Sequence, residues 1–140
     1  MNKEQNITQA PFRFNNFIIA ESHIKIEPHT KAESIEIHID PKGIIFEEKK
    51  QFEIQLLVSL KSNDNLDVSV KIIGLFEFKE VEKLENLKNY FFVNAPAIIF
   101  PYLRSYISAL TALSGCNTII LPPMNMTSLG ENLEKNTIKK

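Results

Sequence analysis

The sequence predicts an α+β fold: a four-stranded antiparallel sheet followed by a long helix and a short C-terminal helix. Three observations carry this. Apolar residues alternate with polar ones through the first half, the period of a strand with one wet face. After Glu80 the apolar spacing changes to three and four, the period of a helix. Turn-forming residues fall between the alternating runs rather than inside them.

The elements follow in order. Phe12, Phe14, Phe17, Ile24 and Ile26 mark an early strand or strand pair across Phe12–Ile26, which Pro28 ends. In Ser34–Asp40, Ile35, Ile37 and Ile39 share one face, and Glu36, His38 and Asp40 share the other. A turn is expected at Pro41-Lys-Gly43. In Phe52–Leu60, Phe52, Ile54, Leu56, Val58 and Leu60 face one way, while Leu57 is an apolar exception on the wet face. Lys61-Ser-Asn-Asp-Asn65 is a turn of residues that bond their own backbone. Leu66, Val68, Val70 and Ile72 then complete a hairpin. The slip at Ile72-Ile73-Gly74 suggests a bulge.

Glu80–Phe91 reads as a short amphipathic helix through Val81, Leu84, Leu87 and Phe91, with Glu80/Lys83 and Glu85/Lys88 able to pair on its surface. Pro96 opens the main helix, whose stripe is Ile99, Leu103, Tyr106, Ile107, Leu110 and Leu113. Gly115 is placed to cap it in the left-handed conformation. Leu121-Pro-Pro123 is an extended apolar linker. Ser128-Leu-Gly-Glu131 fits a capping box that opens the last helix.

Composition narrows the function. The chain has 140 residues, 44% apolar and 24% charged, with a formal net charge of -1. That is one ordinary globular domain. With no basic excess and only Arg13 and Arg104 as arginines, a nucleic-acid interface is not expected. The lone Cys116 excludes an internal disulfide and a multi-cysteine zinc site. The four glycines are too far apart for a phosphate cradle, so no nucleotide cofactor is expected. No apolar run reaches the roughly 20 residues of a membrane helix, and Met1–Ala10 lacks a signal-peptide core. These readings favour a cytoplasmic chain.

No catalytic or metal constellation emerges. His23, His29 and His38 share no ligand spacing, and His38 lies on a wet face. Ser105, Ser108 and Ser114 stand in no nucleophile elbow. Tyr102 and Arg104 read as one buried aromatic and one surface charge. What remains is apolar surface. Thr118–Leu129 carries Ile119, Ile120, Leu121, Met124, Met126 and Leu129, rich in the methionines that adapt to irregular partners. It either packs on its own sheet or receives a partner.

Asn94-Ala-Pro-Ala-Ile-Ile-Phe-Pro-Tyr-Leu-Arg-Ser-Tyr-Ile-Ser-Ala-Leu resembles the main-helix signature of the SecB protein-export chaperones. The matching positions are Pro96, Ile98, Ile99, Phe100, Pro101, Tyr102 and Arg104. Downstream, Leu121, Pro123 and Asn125 fit the family's Leu-x-Pro-x-Asn-aromatic pattern, with Met126 in place of the aromatic. Phe52–Leu60 and Gly74-Leu-Phe76 fit its hairpin. The likeness runs from about Phe12 to Leu133.

The resemblance implies a SecB-like domain over 12–133, a flexible segment before it over 1–11, and a polar tail over 134–140. It implies an ATP-independent chaperone that holds unfolded preproteins in apolar grooves, as a homo-oligomer built from two dimers. The implied groove residues are Ile120, Leu121, Met124, Met126 and Leu129, together with Phe46 and Leu57. The acidic sheet face of the family docks on the translocation motor SecA. Here Glu21 stands in one acidic position, while Lys25 and Ser69 replace carboxylates. Two other readings remain: a SecB-like chaperone dedicated to a toxin–antitoxin pair, and a small-ligand-binding α+β domain.

Overall fold

The structure, a computed structural model, describes residues 11–28, 34–63, 65–80 and 83–140. His29, Val81 and the segment before Pro11 lie outside them. Four long strands come first: β1 (Phe12–Ile26), β2 (Glu36–Phe46), β3 (Gln51–Ser62) and β4 (Leu66–Phe78). Two helices follow, α1 (Ala95–Leu113) and α2 (Met126–Lys135), then a three-residue strand, β5 (Thr137–Lys139). The sheet order is β1-β4-β3-β2-β5, antiparallel throughout except that β5 runs parallel to β2.

The central hairpin forms as its alternation predicts. In β3, Phe52, Ile54, Leu56, Val58 and Leu60 are buried, and so are Val68, Val70, Ile72 and Phe76 in β4. These side chains meet Ile99, Leu103 and Ile107 of α1 in one core cluster. Each buried Leu, Ile or Phe contributes about 1.5–3 kcal/mol, so this layer dominates the stability. Asn63 adopts φ +45° in the connecting turn, and the Asn65 amide donates to the Ser62 carbonyl at 3.0 Å. Asparagine accepts that backbone conformation at low cost.

Several details differ from the expectations. The β3–β4 register runs through Gly74 without a bulge. Gly74 is there because the Ile99 side chain occupies the space of a β-carbon, with Cγ1 only 2.7 Å from it. The irregularities fall instead in β1, between Phe14 and Asn16 and between Ile19 and Glu21. They let one 15-residue strand cover the whole predicted strand pair.

No turn forms at Pro41-Lys-Gly43, because β2 continues to Phe46 and turns at Glu47–Lys50. Pro41 is tolerated because β2 lies at the edge of the antiparallel array, where a missing N–H breaks no ladder bond. Its carbonyl accepts from Asn136 Nδ2 at 3.2 Å on that side. Gly43 leaves room for Thr137 Oγ1, Phe52 Cε1 and Leu133 Cδ1, at 2.5, 3.2 and 3.3 Å from where its β-carbon would sit. Both residues mark an edge that something approaches, not a reversal. The sheet accordingly has five strands rather than four, the fifth taken from the segment read as a polar tail.

The chain reaches α1 through a 3₁₀ turn at Leu84–Leu87 and a π-helical turn at Tyr90–Asn94, rather than through a separate amphipathic helix. The Ala95 amide donates to the Tyr90 carbonyl, the five-residue spacing of a π turn. Pro96 explains it, since proline has no N–H to offer the Phe92 carbonyl four residues earlier. At the far end of α1, Gly115 adopts φ +87°, the left-handed cap its position predicts. The α2 cap lies three residues earlier than expected. Asn125 is the N-cap, and its side chain accepts from the Ser128 amide at 3.1 Å.

Candidate functional site

The linker between the helices is pinned from below. Thr111, fully buried, donates its hydroxyl to the Ile107 carbonyl at 2.9 Å and accepts the Ile119 amide at 2.9 Å. Ser108 Oγ donates to the Ile119 carbonyl at 3.0 Å. Cys116 is half-buried, with its thiol 3.3 Å from the Thr111 carbonyl oxygen. Ile119 and Leu121 therefore point into the core, and alternation turns Ile120 outward with 62% of its surface exposed.

Proline at 122 and 123 keeps the chain extended up to the Asn125 cap. α2 then buries Leu129 and Leu133 and leaves Met126 half-buried at its start. Met124 is half-buried just before the cap. Of the five predicted linker and helix residues, Ile120, Met124 and Met126 present apolar surface. Leu121 and Leu129 are held in the core beneath them.

A cleft of about 300 Å³ opens beside Met126, between the π turn and α2. Phe92, Val93, Met126 and Gly130 line it, with Lys88, Asn89, Thr127, Glu131 and Glu134 around the rim. Val93 is 55% exposed. The Lys88 ammonium lies 3.8 Å from Glu85 and 3.2 Å from Glu134, joining the 3₁₀ turn to α2. Sequence reasoning missed Phe92 and Val93. The available signal was Pro96, which frees the Phe92 carbonyl, together with Gly130, which lets α2 approach it.

Phe46 and Leu57 lie on the opposite face of the sheet. Their neighbours in β2 and β3, Ile45, Leu56 and Val58, are buried toward the helices, so strand alternation directs both outward. Leu57 sits between Asp40 and Lys71 in register, and the Lys49 ammonium lies 5.7 Å from the Phe46 ring centroid. The structure thus separates the predicted groove residues onto two surfaces.

Glu21 is exposed on that same outer face, 3.6 Å from Lys71 Nζ. Arg13 pairs with Glu77 there, and Lys25 stands opposite Asp67. Glu21, Glu77 and Asp67 on this face thus each stand against a base. His23 and His38 also lie there, exposed. Among the described residues, no group of three His, Cys, Asp or Glu side chains is placed to hold a metal ion.

The expected core role of Tyr102 is not met. It is 42% exposed on α1 and stacks on Phe17 at 4.5 Å and on Phe14 at 5.9 Å between ring centroids. Its hydrophobic contact is with β1, the edge strand of the sheet among the described residues, rather than with the interior. Leu113, the last position of the predicted α1 stripe, is 88% exposed rather than packed on the sheet.

Residues 19–136 match the family model described as preprotein translocase subunit SecB. The chain belongs to the SecB family. This SecB-family chain is 27% identical over 134 residues to an uncharacterized protein of Methanocaldococcus jannaschii, covering 88% of this chain and 84% of that one. It is 27% identical over 108 residues to the protein-export protein SecB of Bartonella quintana, covering 74% and 67%. Among solved structures, the Mycobacterium tuberculosis Rv1957 SecB-like chaperone, in complex with a ChAD peptide from the Rv1956 HigA1 antitoxin, superposes with a TM-score of 0.70. That likeness covers 82% of this chain and 88% of the other at 15% identity, and establishes a shared fold. Family membership places the chain among chaperones rather than enzymes. Among the described residues, no helix is long and apolar enough to cross a membrane.

Proposed function

We propose that this SecB-family chain is an ATP-independent holdase that keeps unfolded preproteins competent for export. The observation that carries the reading is apolar surface left outside a complete core. Val93 and Met126 line an open cleft and Ile120 is exposed on the linker, while Leu121, Leu129 and Leu133 already fill the core. Unfolded chains expose aliphatic and aromatic side chains, and their burial on such a surface needs no nucleotide. Methionine suits varied clients because it repacks easily. Leu121 and Leu129 support this surface from below, and Phe46 and Leu57 extend it on the second face. Single contacts of this kind are weak, and several sites in one assembly raise the net affinity.

The assembly we propose is a homo-oligomer of two dimers, located in the cytoplasm. Its support is the outward side of α1, with Ile98, Tyr102 and Leu113 exposed, next to β1, the edge strand among the described residues. Few monomeric domains leave a helix face and a long strand edge uncovered together.

A second reading has its own support. Glu21 is paired with Lys71, so docking on SecA through an acidic face is weakened. A chaperone dedicated to an antitoxin does not need that face, and the M. tuberculosis neighbour was solved with an antitoxin peptide. The deciding experiment is suppression of aggregation of an unfolded preprotein without ATP, followed by addition of SecA. Suppression with SecA association supports the export role. Suppression without association favours the antitoxin-type role. Absence of suppression rejects both and returns attention to ligand binding in the cleft.

A further inference from the structure

The chain has three methionines, and two of them, Met124 and Met126, stand on either side of Asn125. Asn125 is extended, with φ -74° and ψ 96°, and is itself exposed. Extended geometry puts the residues before and after it on one side. Both methionines are half-buried, packed against the edge of the core. Met126 also lines the cleft with Phe92, Val93 and Gly130. We propose that Met124 and Met126 form a paired thioether modification site, and that their oxidation by hydrogen peroxide to methionine sulfoxides reversibly switches off client holding. This switch rests on the client-holding reading above and adds how that surface is regulated.

The chemistry is a two-electron oxidation of sulfur. One peroxide oxygen is transferred to the thioether, the O–O bond breaks, and the other oxygen leaves as water with both protons. A flexible apolar side chain becomes a polar, chiral one. The new oxygen is hydrated while the surface is open. An apolar client that covers it strips that water and offers no donor in exchange, which weakens binding. The fold is insulated from the same change. Among the described residues, the buried core contains no methionine. Both modified side chains reach solvent, and the Asn125–Ser128 cap bond of 3.1 Å uses neither of them. Pro122, Pro123, Asn125 and Thr127 around the pair are exposed, so peroxide and a repair enzyme both have access. Methionine sulfoxide is returned to the thioether by reductases, one for each epimer, which makes the change reversible.

The test compares the full chain with a double variant, Met124→Leu and Met126→Leu, before and after hydrogen peroxide that catalase then removes. The probe is permanently unfolded, reduced and carboxymethylated lactalbumin, with Kd read by fluorescence anisotropy. Mass spectrometry of proteolytic peptides locates the sulfoxides, and urea denaturation reports the fold. In the full chain Met124 and Met126 should each gain one oxygen, and binding should weaken about tenfold with an unchanged urea midpoint. Reductases for both epimers should restore the affinity. The leucine variant keeps Met1 and Cys116 and so reports their oxidation. Whatever affinity it starts from, peroxide should change that by less than about twofold. Unchanged Kd with both sulfoxides formed, or an equal loss in the leucine variant, overturns the switch and leaves the holdase reading intact. So does a lowered urea midpoint, a loss that the reductases do not reverse, or survival of both thioethers in peroxide that oxidises free methionine. Failure of the untreated full chain to bind the probe rejects the holdase reading and the switch with it.

Discussion

The carbonyl oxygen of Phe92 lies so close to Gly130 that a β-carbon at Gly130 would overlap it. Pro96 leaves that carbonyl without its usual helical donor, and the π turn pushes it toward α2. The contact sets the spacing between the π turn and α2, and with it the cleft. Gly→Ala inside a helix ordinarily stabilises by about 0.5–1 kcal/mol. Gly130→Ala should do the reverse and cost about 1–3 kcal/mol through overpacking. Urea denaturation reads the sign. A gain in stability would mean that the helices separate freely and that this contact does not hold the cleft.

The start of α2 gives a second test. Asn125→Ala removes the side chain that accepts the Ser128 amide and should cost about 0.5–2 kcal/mol. Ser128→Ala should stay within about 0.5 kcal/mol, as exposed substitutions away from caps do. A larger loss at Ser128 than at Asn125 would restore the capping box expected at Ser128–Glu131.

The apolar surface and the core beneath it should respond differently to charge. The paired substitutions Ile120→Asp and Met126→Asp should keep the fold, because both side chains reach solvent, yet reduce suppression of client aggregation. Leu129→Asp should instead unfold the chain or cost about 3 kcal/mol or more, since it buries an unpaired carboxylate. Circular dichroism beside the aggregation assay separates the two effects. Full suppression by the folded double variant would remove Ile120 and Met126 from the client surface.

Tyr102 links α1 to the edge strand through two ring contacts. Tyr102→Ala should cost the isolated chain about 1–3 kcal/mol, at about 0.5–1.5 kcal/mol for each of its two ring pairs. If α1 and β1 form the interface between copies, the same substitution should shift sedimentation strongly toward smaller species. A large loss of stability with unchanged sedimentation would make Tyr102 a core residue after all.

Much of the fold is legible in the sequence. The β3–β4 hairpin, its turn at Asn63, the α1 stripe and the Gly115 cap all depend on neighbours within one or two turns or strands. The Pro96-to-Arg104 motif identified the family from local residues alone. Pro41, Gly43 and Gly74 were misread for a common reason. Each looked like a break in its own strand, and each is instead a place where a distant element comes close: Asn136 at Pro41, Thr137 at Gly43 and Ile99 at Gly74.

The sequence by itself determined the class, the order of the main elements and the wealth of apolar residues between α1 and α2. Periodicity and turn chemistry are short-range properties, and they survive in a linear reading. Only the tertiary structure decided which of those residues remain outside. Thr111 ties down Ile119, so Leu121 points inward and Ile120 outward. Phe46 and Leu57 fall on the other side of the sheet because residues paired along β2 and β3 alternate faces. The polar tail becomes a strand because β2 has an open edge just where α2 ends. Burial and edge pairing are settled by contacts between residues far apart in the chain, and a local pattern holds no record of them.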